Sequence, residues 1–262
     1  MSEATVLTEL ADGVLTITIN KPDRLNALDA GTAKSIYEAL KGADSNDDVR
    51  VVVLTGAGRG FSAGADLQRD RDSDAESGGD TNNLLDYANL TTTLISTLSK
   101  PVVAAVNGVA AGVGVSYALA SDIVVAKESA SFLLAFSRIG LMPDGGANLW
   151  VAANIGRARA MDMALLAEQI PAPQAKEWGM ISRVVADGDF EAEVSKVAGK
   201  LASGPTRAYA KTKAAINGAA LTELKATIDR EVSGQTELLQ TKDNAEGVAA
   251  FLEKRPAKFT GA

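Results

Sequence analysis

Apolar residues along the chain follow two periods. Residues 6–10 and 14–19 flank Asp12-Gly13, and Leu15, Ile17 and Ile19 alternate with other positions, which predicts a hairpin. Ile36, Ala39 and Leu40 recur at helical spacing, so a helix over 30–43 follows, with Asp29 as its N-cap. Two runs, 49–55 and 102–106, are apolar at nearly every position. Such runs suit strands buried on both faces. Residues 68–83 are polar and have no period, which predicts a surface loop, either a solvated insertion or a lid. A helix over 84–98 comes next. Further along, 123–126 reads as a strand, 130–135 as extended, and 149–155 and 157–167 as helices. A short helix over 172–178 stops at Gly179, and 181–185 is a last strand. Beyond Phe190 only helices are expected, over 190–202, 205–217, 221–239 and 243–254. The class is α/β, with a helical C-terminal region and no repeat of fixed period.

Composition narrows the chemistry. The 262 residues contain neither cysteine nor histidine. Disulfides, thiol catalysis, Ser-His-Asp triads and His- or Cys-ligated metals are thereby excluded. Acid–base work falls to Asp, Glu, Lys or Tyr. A net charge of −7 without a basic block argues against nucleic acid as a partner. The N-terminus has no signal pattern, and Gly, Ser or Asp interrupts each apolar run before membrane-spanning length. With the missing cysteines, this fits a reducing compartment and sets the expectation of a cytoplasmic, non-membrane protein.

The richest stretch is 100–122. A strand runs into Asn107-Gly108, and residues 112–120, nearly all small or apolar, predict a buried helix. Unpaired N–H groups at a helix start, flanked by small residues, can hold an anion or a developing oxyanion. Tight packing of helix on sheet accounts for the same residues. Gly56-Ala57-Gly58-Arg59-Gly60 only superficially resembles a nucleotide loop, because a second small-residue turn follows where a helix should open.

Three collinear segments carry a resemblance. Phe61-Ser62-Ala63-Gly64-Ala65-Asp66-Leu67, Ala105-Val106-Asn107-Gly108 with Ala111-Gly112-Val113-Gly114, and Ile139-Gly140-Leu141-Met142-Pro143-Asp144 are similar to the signature segments of the crotonase (enoyl-CoA hydratase/isomerase) superfamily. The resemblance implies a spiral of ββα units over 1–195 carrying an acyl-CoA site. A helical region over 196–262 would build a homotrimer or a dimer of trimers. It implies an acyl-CoA thioester as substrate and no separate cofactor or metal, coenzyme A being part of the substrate. The backbone N–H groups of Ala65 and Val113 would hold the thioester oxygen. The CoA half would lie against Arg24, Leu25, Asn26 and Ala27 and against the turn Ala63, Gly64, Asp66 and Leu67. Gly112, Ser116 and Phe136 would complete the substrate pocket.

Hydratases of the superfamily use two glutamates, and the corresponding positions here are Ser116 and Phe136. Neither is a carboxylate. Asp144 matches the acid of a ring-isomerase subgroup, and the resemblance makes it the catalytic residue of a single-carboxylate 1,3-proton shift. Taken alone, Asp144 before Gly145-Gly146 reads as a turn or N-cap aspartate. Ser116 is either a partner for a substrate oxygen or a buried helix serine. The expectation is an enoyl-CoA isomerase. The alternatives are a hydratase of 2-enoyl-CoA and a catalytically silent acyl-CoA-binding homologue.

Overall fold

The computed structural model describes residues 4–68 and 80–262, the side chains of 80–83 excepted. Most of the expected loop at 68–83 therefore lies outside the described residues. Strands β1 (Val6–Ala11) and β2 (Val14–Ile19) form the expected antiparallel hairpin, with Asp12 and Gly13 both at positive φ. Helix α1 (Ala30–Ser45) starts at Asp29, whose side chain accepts the Thr32 N–H at 2.8 Å.

The chain then alternates between two sheets. It runs through β3 (Val51–Gly56), β4 (Gly60–Ser62), α2 (Asp80–Thr97), β5 (Val102–Val106), β6 (Val109–Ala111) and α3 (Val113–Ala120). Strands β7 (Ile123–Lys127) and β8 (Ser131–Leu133) follow, then α4 (Ala147–Leu166), β9 (Ile170–Pro171), α5 (Ala172–Glu177) and β10 (Arg183–Val185). The large sheet has the order β1-β2-β3-β5-β7-β10, parallel from β2 onward. The small sheet, β4-β6-β8-β9, repeats that order one step later in the chain. Each turn of the spiral thus ends on a small-sheet strand, and α2, α3 and α4 leave from this side.

Four helices close the chain: α6 (Phe190–Ala202), α7 (Thr206–Ala220), α8 (Leu224–Leu238) and α9 (Lys242–Leu252). The boundary expected at 195 falls inside α6. Phe190, Val194, Val197 and Ala198 pack as one face on Val51, Val53, Val103 and Val125. The alternate positions Val52, Leu54, Val102 and Ala104 point into the main core with α1, α2 and α3. Both faces of the central strands are therefore covered, which is why they read as unbroken apolar runs. Each fully buried Val or Leu contributes about 1.5–3 kcal/mol. All eight residues of α3 are buried, as its lack of a polar face predicts.

The structure differs from the sequence expectation at small elements. Residues 80–83, expected as loop, begin α2. A short strand, β6, which was not expected, fills the gap between Asn107-Gly108 and the helix expected over 112–120. The two helices expected over 149–155 and 157–167 are both present, joined at a kink at Gly156 (φ 79°, ψ 160°), and the first begins two residues earlier, at Ala147. No helix of the described residues is long and apolar enough to cross a membrane.

Candidate active site

Two turns meet at the N-terminal end of α3. The first, 62–66, is zipped to residues 25–28. Ser62 Oγ donates to Asn26 O (2.9 Å), Ala63 N–H to Leu25 O (2.9 Å), Leu28 N–H to Gly64 O (2.7 Å) and Asp66 N–H to Leu28 O (2.9 Å). These bonds use the groups on either side of Ala65. Its own N–H has no acceptor among the described residues, and Ala65 is exposed. In the second turn Gly112 adopts φ 53°, ψ −129°, a conformation open in practice to glycine alone. Gly112 N–H donates to Leu133 O (2.9 Å), and Val113 opens α3 with an N–H that likewise lacks an acceptor.

The turns are in close contact. A Cβ on Gly64 would stand 2.9 Å from Ala111 O and 3.4 Å from Gly112 Cα. A Cβ on Gly112 would meet the Phe136 ring at 3.8 Å. The glycines thus bring together two N–H groups without acceptors, one with a helix dipole behind it. That arrangement suits a developing oxyanion.

The loop carrying Asp144 lies against the same helix. A Cβ on Gly145 would meet Ser116 Cβ at 2.9 Å and Val113 Cγ2 at 3.5 Å. Ser116, fully buried, donates its Oγ to the main-chain oxygen of Asp144 (2.8 Å), and Trp150 Nε1 donates to Gly145 O (3.0 Å). Ser116 is therefore the buried helix serine, its hydroxyl proton spent on this loop, and not an open partner for substrate. Asp144 is only half-buried as a residue, yet its carboxyl is sealed. Oδ2 accepts from Gln235 Nε2 at 2.8 Å, and Oδ1 is buried without a partner among the described residues. Burial pushes Asp144 up to about 7, the Gln235 donation opposing and the charge of Glu231 adding to the rise.

Glu231 and Gln235 were not among the expected site residues. Both sit on α8 and are almost fully buried. Glu231 Oε2 accepts from Gly146 N–H (2.6 Å), and Oε1 from Asn148 N–H (3.1 Å) and Nδ2 (2.8 Å). Burial pushes Glu231 up as well, but every partner is a donor, which fits the carboxylate form. Their i, i+4 spacing was the only signal in the sequence, and a solvated helix face has the same spacing.

The expected CoA-side residues divide. Arg24 keeps an open face, its side chain 42 % exposed, while Nη2 meets Asp66 Oδ1 at 2.5 Å. Leu25 is half-buried at positive φ, Ala27 is buried, and Ala63 and Leu67 are half-buried beside the Ala65 turn. Two of these side chains turn inward. Asp66 is buried and paired with Lys21 Nζ (3.0 Å) as well as Arg24, so its carboxylate braces the turn and does not face a ligand. Asn26 is fully buried, and its Nδ2 donates to Ala57 O (2.9 Å) and Gly60 O (2.7 Å). Asn107 Nδ2 reaches the same loop at Gly56 O (2.8 Å) and Gly58 O (2.9 Å). These amides occupy the carbonyls of the glycine-rich loop from inside.

Two concavities of about 590 Å³ lie elsewhere, one lined by Asp243, Glu246 and Arg255 and the other by Trp150, Lys213 and Ile216. Neither is lined by Asp144, Ala65 or Val113. No group of three Asp or Glu residues among those described is placed to hold a metal ion.

Residues 9–262 match the enoyl-CoA hydratase/isomerase family. The chain belongs to that family. The 1,2-epoxyphenylacetyl-CoA isomerase of Escherichia coli K12 is 42 % identical over 257 residues, 98 % of each chain. A probable enoyl-CoA hydratase of Rhodobacter capsulatus is 44 % identical over 263 residues, 100 % of both. Among solved structures, an enoyl-CoA hydratase from Mycobacterium avium subsp. paratuberculosis K-10 has a TM-score of 0.90 at 47 % identity, covering 98 % of this chain and 99 % of that one. Hydratase and isomerase names both occur among these relatives. The family places the spiral, the two neighbouring turns and the Asp144 loop in an acyl-CoA enzyme.

Proposed function

We propose that this member of the enoyl-CoA hydratase/isomerase family is an isomerase that moves a double bond from the 3 to the 2 position of an enoyl-CoA or a ring-type analogue. The observation that carries this reading is Asp144 Oδ1, a buried carboxylate oxygen without a partner among the described residues, on a loop packed against the helix that starts at Val113. Asp144 takes a proton from C2 of the thioester. The C3–C4 bond becomes C2–C3 through a dienolate whose charge rests on the thioester oxygen, facing the Ala65 and Val113 N–H groups. The same carboxyl returns the proton at C4. Hydration needs a second acid–base group. Ser116 and Phe136 stand where the resemblance puts the hydratase glutamates, and both oxygens of Glu231 are already filled. Arg24, Leu25 and the turn at 63–67 offer the surface for the CoA half.

The test is to assay one preparation for 3-enoyl-CoA isomerisation and for crotonyl-CoA hydration. Isomerisation well ahead of hydration is expected. Efficient hydration would overturn the reading.

A further inference from the structure

We infer that Glu231 and Gln235, one turn apart on α8, are positioning residues that aim Asp144 and leave Oδ1 as the oxygen that moves the proton. The inference rests on Asp144 being the base of the site. Gln235 Nε2 occupies Oδ2 at 2.8 Å, and its Oε1 faces Met142 N–H at 3.4 Å, so one side chain holds the loop on both sides of Pro143. Glu231 fixes the other flank through Gly146 N–H and the main chain and side chain of Asn148, and Asn148 Nδ2 also donates to Pro143 O (2.9 Å). Gly145 and Gly146 have φ of 65° and 78°, so the loop follows a path that side chains elsewhere must hold in place. A helix from beyond the spiral thereby completes the site.

Every neighbour of Asp144 fits this division. From α3, Ser116 reaches only its main-chain oxygen, and the Tyr117 phenol is neutral, pushed up by burial. From α4, Trp150 bonds to Gly145 O. No lysine or arginine pairs with Asp144 among the described residues. The two α8 side chains therefore act on its charge with opposite signs. The Gln235 donor favours the carboxylate, and the Glu231 charge disfavours it.

The test needs no substrate. Infrared titration of the carboxyl groups is compared in the wild type, in Asp144→Asn to identify the signal, in Glu231→Gln and in Gln235→Met. The Asp144 titration should move down in Glu231→Gln and up in Gln235→Met, each by roughly half to one unit. Gln235→Glu, which adds a charge and keeps the size, should move it further up and serves if Glu231→Gln does not fold. In assays, Gln235→Met should lose about tenfold or more in kcat with little change in KM. An Asp144 titration that stays put in both variants, or shifts the same way in both, overturns the inference. Wild-type turnover in Asp144→Asn would remove Asp144 as the base and overturn the inference together with the isomerase reading, whereas unmoved titrations with an inert Asp144→Asn would overturn the inference alone.

Discussion

Helix α3 has a carboxylate near each end, and the two have opposite surroundings. Past its C-terminus, Asp122 meets Lys213 Nζ at 2.9 Å and accepts the Val102 N–H at 2.7 Å. Burial pushes Asp122 up, but the lysine opposes it, and Lys213 is held in turn by Ile95 O at 2.6 Å. Asp66, in the first turn, has two cations. Asp144, near the N-terminal half of α3, has a neutral amide on one oxygen and, among the described residues, no partner on the other. A buried carboxylate with a cation is a strut. One without a cation is held close to its protonated form, where giving and taking a proton near neutral pH cost little.

This contrast can be broken most sharply by the matched substitutions Asp144→Asn and Asp122→Asn. The first should lower isomerisation by about 10³–10⁴-fold while acyl-CoA binding and folding persist. The second should lower thermal stability and leave turnover per folded molecule near wild type.

A second test follows Asp144 through stability. Its folded pKa of about 7 lies above the unfolded value. The protonated form is therefore favoured by folding, and that advantage, full below the unfolded pKa, is lost as pH rises through about 7. Asp144→Asn should be more stable than the wild type at pH 8, by at most about 4 kcal/mol, and the gap should close toward pH 4. Denaturant midpoints at the two pH values measure it, and a gap that does not change with pH would place Asp144 among the struts.

The oxyanion donors give a comparable effect on rate. Val113→Pro removes one N–H at a position where proline suits a helix start, and it should cost roughly 10²–10³ in kcat. Stability should change little, because that N–H has no acceptor among the described residues. Smallest in the series is Lys213→Met. It leaves Asp122 without its cation and should cost about 3 kcal/mol of stability, the low end for a broken buried pair because Asp122 is partly exposed. A neutral result would show that the pair is not a strut.

How much of this was legible depended on whether a residue's partner was near in sequence. The strands at 51–56 and 102–106 were readable because both faces are apolar. Strands β6 and β9, three and two residues long, have no room for a period. Asp144 stood out in Pro-Asp-Gly-Gly and by resemblance. The inward turn of the Asp66 and Asn26 side chains was harder to read, because a polar residue in a loop points outward unless something inward claims it. What claims them is Lys21 with Arg24 for Asp66, and the carbonyls of the 56–60 loop for Asn26. Glu231 and Gln235 lie about 90 residues beyond Asp144 on a charged helix, and only the folded chain brings them to it.

The central claim is that one carboxyl carries one proton between two carbons. It is tested most directly with a 3-enoyl-CoA deuterated at C2, reading the label at C4 of the product in wild type and in Asp144→Asn. Deuterium recovered at C4 in the wild type, with Asp144→Asn inert, is the predicted result. A C4 hydrogen drawn wholly from solvent, or an Asp144→Asn variant that turns over like the wild type, would contradict it.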